Sequence, residues 1–390
     1  MQTEQSAKHP VVEITGLAHG GHGVGRVEGQ VYFVPCVLPG DVVRVRNVRK
    51  TKGVMWADAG ALVKASEFRT EPPCPAFGEC GGCSWLHFAY PAQADWKRRI
   101  VSDCLQRIGG IAVDVAWVED ETLRLGYRTR AEFHGDGERV GFYGSWSHDV
   151  VDLAACPLCH PKLNAALDRL RAAKPRCSVE ITVNPDGDDV LVWTKSANAA
   201  VNKAFPTLQT ERDDAPRHSF VFDGIPVVNG TFSQSSLLLN RLLTRAVRDA
   251  LKGAHRVLDL YCGNGNFSAM LPGATQVLGL DHNRSVVAAA NTVRPDAYRV
   301  ASEGGFGHAL RASAWDVILL DPPRTGAKAI AQDLGKADAG RIVYVSCDPA
   351  TLARDAKAIV QAGWRVDSVT AIDMFPNTAH IESVCVFERK

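Results

Sequence analysis

Four short apolar runs in the C-terminal half of the chain, RVLDL (256–260), QVLGLD (276–281), DVILLD (316–321) and IVYVSC (342–347), each close on a carboxylate or a cysteine beside turn-forming residues. Runs so apolar and so short suit strands buried on both faces, and helical stretches separate them, beginning with SSLLLNRLLTRAVRDALK (235–252). This rhythm predicts a doubly wound parallel α/β sheet, whose ligands bind outside the carboxyl ends of the strands. Asp259, Asp281, Asp321 and Cys347 are therefore expected along one edge. A lone cysteine closing a strand is ordinarily a small packing residue, so Cys347 needs further support before it is read as a chemical group.

The first two carboxylates bracket a glycine loop, DLYCGNGNFS (259–268). Gly263 and Gly265 allow close backbone approach to a ligand, and Asp281 can accept two ribose hydroxyls. The dinucleotide spacing G-x-G-x-x-G is absent, because Phe267 and Ser268 follow Asn266. An adenosine-type cofactor without a pyrophosphate, such as S-adenosylmethionine, fits better. The third run leads into DPPRTG (321–326), whose prolines fix a rigid, donor-poor loop able to hold an acid against a planar substrate.

The N-terminal half reads differently. From Val11 to Lys64, β-branched runs alternate with glycine-rich turns, the pattern of a small antiparallel barrel. Within it RVRNVRKTK (44–52) places five cations in nine residues without an acid. A cysteine-rich connection, EPPCPAFGECGGCSWLHF (71–88), precedes an amphipathic helical stretch at 91–110. Strand-like segments between residues 126 and 230 surround one helical stretch, PKLNAALDRLRAA (161–173), and predict a mixed α+β region. The 44 basic and 43 acidic side chains of the 390 residues name no partner by net charge. The polar opening MQTEQSAKHP and the lack of a long apolar run lead us to expect a soluble, cytoplasmic monomer with no membrane partner. Eleven cysteines in so long a chain are too sparse for a disulfide scaffold, and clustered ones read as metal ligands or catalysts.

LDLYCGNGNFS, DPPRTG, VSCDPATLARD and the late HIES occur in an order that resembles the RNA uracil-5-methyltransferase family. LAHGGHGVGR resembles the TRAM domain, and CPAFGECGGC resembles the iron–sulfur motif of the branch that modifies large-subunit ribosomal RNA. The resemblance implies a class I, Rossmann-like methyltransferase domain (91–119 and 231–390), an OB-like TRAM barrel (8–68) and a central α+β domain (69–90 and 120–230) carrying the cysteines.

Carbon 5 of uracil is too weak a nucleophile to take a methyl group directly, so a thiolate must first add at carbon 6. The resemblance assigns that role to Cys347. A lowered thiol pKa is expected there from the amides of the following loop and helix. Cys262 on the glycine loop is the rival, read as packing. The resemblance makes Glu382 the base that removes the proton from carbon 5, and has Asp321 and Arg324 hold the uracil or assist the nucleophile. It has Gln234, Tyr261, Gly263, Gly265, Asn266, Asp281 and Asp321 contact the cofactor. Asp281 stands where the family usually has glutamate, and Ser236 where it commonly has asparagine.

Cys74, Cys80 and Cys83 form one tight group, and AACPLCH offers Cys156 or Cys159 as a fourth ligand. Four thiolates suit zinc or an iron–sulfur cluster alike. The resemblance selects Cys156 and a [4Fe–4S] cluster. It also implies an RNA partner, with 23S ribosomal RNA ahead of transfer RNA, and with the barrel and the 44–52 run on phosphates while the target base is flipped into the site. Two other classes remain beside this one: a methyltransferase for exocyclic amines, for which Cys347 is superfluous, and a noncatalytic RNA-binding protein.

Overall fold

Alternating burial builds the first unit: Val12 and Ile14 of β1 (Val11–Leu17) point inward between exposed Val11, Glu13 and Thr15, and after a bulge Leu17 points inward again. β2 (Gly23–Val27), β3 (Gln30–Val34), β4 (Val42–Thr51) and β5 (Val54–Lys64) complete a closed barrel in the order β1-β2-β3-β5-β4. Five strands cannot alternate direction all the way round a ring. One neighbouring pair, β3 and β5, accordingly runs parallel, where the turns alone suggested a wholly antiparallel barrel. These coordinates come from a computed structural model, which describes residues 9–211, 213 and 216–389. The opening residues 1–8, residue 8 of the expected barrel and part of the polar loop at 210–217 lie outside the described residues.

Leu17 and Leu38 carry the barrel into the main core, where they join Trp85 and Phe88. α1 (Tyr90–Cys104) follows, extended by a π-turn at Leu105–Gly109 and ended by Gly110 in the left-handed region at φ 70°. Its buried face includes Tyr90, Gln93 and Lys97, an unusually polar set for a core helix. Each has a partner in the loop at 373–377. Lys97 Nζ lies 2.7 Å from Asp373 Oδ1, Tyr90 donates to Asp373 Oδ2 at 2.6 Å, and Gln93 Nε2 donates to Asn377 Oδ1 at 3.0 Å. β6 (Val115–Val118) then pairs in parallel at the outer edge of the large sheet.

The middle region is a six-stranded sheet of β7 (Arg130–Gly135), β8 (Val140–Tyr143), β9 (Val150–Asp152), β10 (Ser178–Val183), β11 (Val190–Thr194) and β12 (Gln209–Thr210), ordered β12-β11-β10-β7-β8-β9. α2 (Pro161–Ala173) packs Leu163, Leu167 and Leu170 against it, with α3 (Ala199–Ala204) alongside. A separate hairpin, β13 (Ser219–Phe222) and β14 (Ile225–Val228), leads into the last unit.

There α4 (Leu237–Ala250), β15 (Arg256–Leu260), β16 (Gln276–Asp281), α5 (Arg284–Val293), β17 (Tyr298–Val300), α6 (Glu303–Ala312), β18 (Trp315–Leu320), α7 (Ala331–Lys336), β19 (Ala339–Ser346), α8 (Pro349–Gln361), β20 (Trp364–Ile372) and β21 (Glu382–Arg389) form a helix-flanked sheet ordered β17-β16-β15-β18-β19-β21-β20-β6. All neighbours are parallel except those of β21, which inserts antiparallel between β19 and β20. The four apolar runs are its β15, β16, β18 and β19. Among the described residues no helix is long and apolar enough to cross a membrane.

Removing Lys97 leaves the Asp373 carboxylate buried without its counter-charge, so Lys97→Ala should cost about 3–5 kcal/mol. Urea unfolding followed by circular dichroism should show the midpoint falling accordingly, and an unchanged midpoint would mean that the pair does not hold the loop.

Candidate active site

β21 runs against its neighbours, so its first residue, Glu382, lies at the edge where the parallel strands end. Ser346 pairs with Ser383 in the register, which sets Glu382 beside Cys347. Asp321 follows β18 at the same edge. Glu382 is 3% exposed, and burial together with the Asp321 carboxylate pushes its pKa well above the usual range, against the pull of Arg324. Burial also raises Asp321, to about 7.

Cys347 is half-buried at this edge, and its thiol is pushed up to about 12 by burial, then by Glu382 and Asp321, with Arg324 opposing. This corrects the expectation of a lowered pKa. The amides meant to stabilise the thiolate are already taken: Asp348 Oδ1 caps α8, accepting from Ala350 N at 3.0 Å and Thr351 N at 2.9 Å. A pKa raised this far favours the thiol form of Cys347 at neutral pH.

The glycine loop alternates left-handed residues, with φ of 58° at Tyr261, 54° at Gly263 and 80° at Gly265. Asp281 organises it, accepting Gly263 N at 3.0 Å and Asn283 N at 2.8 Å. His282 Nδ1 also lies 3.4 Å from Asp281 Oδ1, and each carboxylate oxygen keeps room for a further donor. A Cβ on Gly263 would meet nothing within 4 Å, so the loop opens onto free space there. Behind it Asp259 is fully buried and raised to about 7 by desolvation. One of its oxygens accepts from Ser268 Oγ at 2.5 Å, and the other has no partner among the described residues. This open backbone and orphaned acceptor fit an adenosine-bearing cofactor with an amino group.

Tyr261 donates to Glu303 at 3.1 Å, and Asn266 exchanges hydrogen bonds with Asn240 of α4 at 2.7 and 3.1 Å. Gln234, half-buried just before α4, makes no side-chain hydrogen bond among the described residues. Ser236 caps α4 by accepting from Leu239 N at 3.0 Å, a local duty that serine performs as well as asparagine. Cys262 packs with Ala269, Ala290 and Tyr298, and burial drives its thiol pKa far up.

Two neighbours of the site escaped the sequence reading. Glu303 opens a helix as an ordinary first-turn acid, and nothing in its spacing points to Tyr261. His19 lies in the barrel, yet its Nε2 is 3.0 Å from Asp348 Oδ2. Beside it Gly21, at φ 81°, packs so closely on Ala379 that a Cβ would come within 2.4 Å of the alanine's own. A histidine 329 positions away from its partner leaves no local signature.

Cys74, Cys80, Cys83 and Cys156 line one small apolar cavity with Phe77 and Leu158. Their thiols lie within electrostatic reach of one another, and burial followed by the other three raises Cys83 to about 12. Gly82 N donates to Cys80 Sγ at 3.3 Å. A hydrogen bond from Cys159 holds Cys156 down to about 6, while Cys159 itself packs with Leu163 and Phe133. Arg128, whose guanidinium reaches Gly82 O at 3.5 Å, supplies a half-buried cation beside the set. Among the described residues no three His, Cys, Asp or Glu side chains are gathered so as to hold a metal ion. Four thiols around one cavity with a balancing cation are nevertheless a donor set that suits an iron–sulfur group.

Thiolate is the reactive form, so alkylation of Cys347 by iodoacetamide should climb about tenfold per pH unit from pH 7 to 9. Peptide-resolved mass spectrometry reads this directly, and a plateau reached by pH 8 would contradict the raised thiol.

Residues 306–390 match the tRNA (Uracil-5-)-methyltransferase family and residues 11–52 the TRAM domain. The chain is 33% identical over 433 residues to the 23S rRNA (uracil(1939)-C(5))-methyltransferase RlmD of Azoarcus sp. (strain BH72), covering 97% of this chain and 100% of that protein. It is 34% identical over 438 residues to the protein of the same name from Thiobacillus denitrificans, covering 98% and 100%. The crystal structure of Pyrococcus abyssi tRNA (uracil-54, C5)-methyltransferase in complex with S-adenosyl-L-homocysteine superposes with a TM-score of 0.76 at 26% identity, over 98% of this chain and 100% of that one. With identity at this level along its full length, the chain belongs to the RNA uracil-5-methyltransferase family.

Proposed function

We propose that the protein methylates carbon 5 of a uridine in 23S ribosomal RNA, at the position equivalent to the uracil 1939 in the name of its relatives. The observation that carries this reading is the antiparallel insertion of β21, which sets a buried acid, Glu382, beside a strand-end thiol, Cys347. An amine methyltransferase needs no thiol there, and a noncatalytic RNA-binding protein needs neither group.

Gly263, Gly265, Asp281, Tyr261, Asn266 and Gln234 bind the cofactor, with the free oxygen of Asp259 behind them. S-adenosylmethionine, when bound, supplies an electrophilic methyl group. Asp321, raised to about 7, is partly ionised at neutral pH and takes the Cys347 proton. The Cys347 sulfur adds to carbon 6 of the flipped uracil, and the electron pair released toward carbon 5 lets that carbon take the methyl group. Arg324 faces the charge that develops on the base. Glu382, once its own proton has been released to solvent, accepts the proton from carbon 5, and the returning electron pair breaks the bond from sulfur to carbon 6. The high pKa of Glu382 makes it a competent base in its ionised form.

The four cavity thiols are read as ligands of a [4Fe–4S] cluster. Cys74, Cys80, Cys83 and Cys156, whose sulfurs line one cavity, would hold it. It would staple the cysteine loop to the start of α2, away from the methylation chemistry.

Cys347→Ala should keep cofactor binding yet lose both methylation and any covalent complex with 5-fluorouridine-substituted RNA. Glu382→Gln should act later, leaving methyl-labelled RNA attached to the protein through denaturing electrophoresis. If that variant turns over normally, or is inactive without an adduct, Glu382 is not the base. Transcripts of 23S and transfer RNA run side by side decide the substrate, and methylation of transfer RNA alone would overturn the 23S assignment. Protein purified anaerobically should be brown and contain iron and sulfide; stoichiometric zinc without iron would reject the cluster.

A further inference from the structure

A cleft opens where three parts of the chain meet: the barrel loop at Gly20–His22, the cysteine loop at Gly81–Ser84, and the turn between β8 and β9 that carries Trp146. We propose that it is a stacking subsite for an unpaired nucleobase flanking the target uridine, with Trp146 as its outer wall. The proposal rests on the reading of the protein as an RNA methyltransferase and adds a second point at which the RNA is held.

The aromatic groups at this cleft form a chain that crosses from the barrel to the central domain. Phe33 stacks on Trp56 at 5.0 Å with 22° between planes, Trp56 meets the edge of His22 at 5.0 Å, and His22 faces Trp146 at 5.7 Å and 40°. Trp146 is 83% exposed, far more than such a side chain gains from leaving in water. It is also held in place. Its turn closes through Ser147 N to Gly144 O at 3.2 Å, and Ser145 N donates to Glu79 O at 2.9 Å, which pins the turn to the cysteine loop. A large indole fixed in solvent at the mouth of a cleft is a platform waiting for a flat partner.

Charge selects the partner. No side chain lining the cleft is a carboxylate, so a basic peptide or a cationic ligand finds no counter-charge there. Just outside, Arg49 is paired with Trp56 across β4 and β5 and Lys50 follows it, while the acids Glu79 and Asp149 flank the Trp146 turn. Aromatic faces beside lysine and arginine match single-stranded nucleic acid, which offers bases to stack and phosphates to neutralise.

The barrel loop that lines the cleft also reaches the residues around Cys347. It carries His19 to Asp348, the residue after Cys347, and packs Gly21 on Ala379, three residues before Glu382. A strand whose uridine is flipped toward Cys347 therefore has a path along this loop into the cleft. Holding a neighbouring base would keep the strand open while the target is out of its stack.

The test uses the full-length protein and a labelled transcript of the 23S segment around uridine 1939, the position in the relatives' name. Trp146→Ala should raise Kd and KM for this RNA about tenfold, as expected for losing one base–aromatic stack, and Trp146→Phe should restore most of the loss. The kcat at saturating RNA and the Kd for S-adenosylmethionine should not change. In a scan of abasic substitutions, one position beside the target should reproduce the loss with wild-type protein and add nothing in Trp146→Ala. If wild-type protein methylates the transcript and Trp146→Ala binds it equally well, the subsite does not exist while the functional reading stands. A loss in Trp146→Ala that no abasic position reproduces would mean that the tryptophan meets something other than a base. Failure of the wild type to methylate this transcript would remove the functional reading itself, and the RNA occupant with it.

Discussion

Three carboxyl groups and a thiol share one poorly hydrated sheet edge, and they cannot all be charged together. Burial raises Asp259 and Asp321 to about 7, drives Glu382 higher, and pushes Cys347 to about 12. Burial leads at each group, and the Asp321 charge adds to the rise at Asp259, Glu382 and Cys347, so moving its proton changes the readiness of the rest. That suits a reaction in which a thiol gives up a proton first and a carboxylate collects another later. Asp348 adds to the constraint: by capping α8 it removes the amides that would otherwise have favoured a thiolate at rest.

Such an edge must be held against the repulsion it contains. The segment leading to Glu382 is fixed from behind by α1, through the buried Lys97–Asp373 pair and the Gln93–Asn377 hydrogen bond. A polar face on a core helix would be a fault if the helix served only to fill space; here it positions the loop that enters β21. The barrel fixes the other side through His19 and Gly21. The unit with the basic strand is thus mechanically joined to the residues around Cys347.

The cysteine loop occupies the junction of all three units. Its sulfurs gather with Cys156 beneath it, its glycines border the cleft above it, and Ser84 Oγ accepts from Ala379 N at 3.0 Å. A group bound to the four thiols would order this loop, and through it the turn carrying Trp146.

Much of this was written in local sequence. Apolar runs closing on Asp259, Asp281, Asp321 and Cys347 determined a parallel sheet and named the edge where its ligands bind, because a strand buried on both faces must be continuously apolar. Gly263 and Gly265 likewise marked a loop that needs left-handed backbone. Tertiary structure decided what depends on distance through space. The pKa of Cys347 follows from burial, from Glu382 35 residues later in the chain and from a helix cap that spends the nearby amides, so a reading of the local loop gave the wrong sign. His19, Glu303 and Trp146 could not be singled out for the same reason: a residue's partners across the fold leave no mark on its own neighbours in sequence. A pattern of apolar and turn residues fixes which elements form and which way they point, while charge, desolvation and stacking depend on what packing brings beside each group.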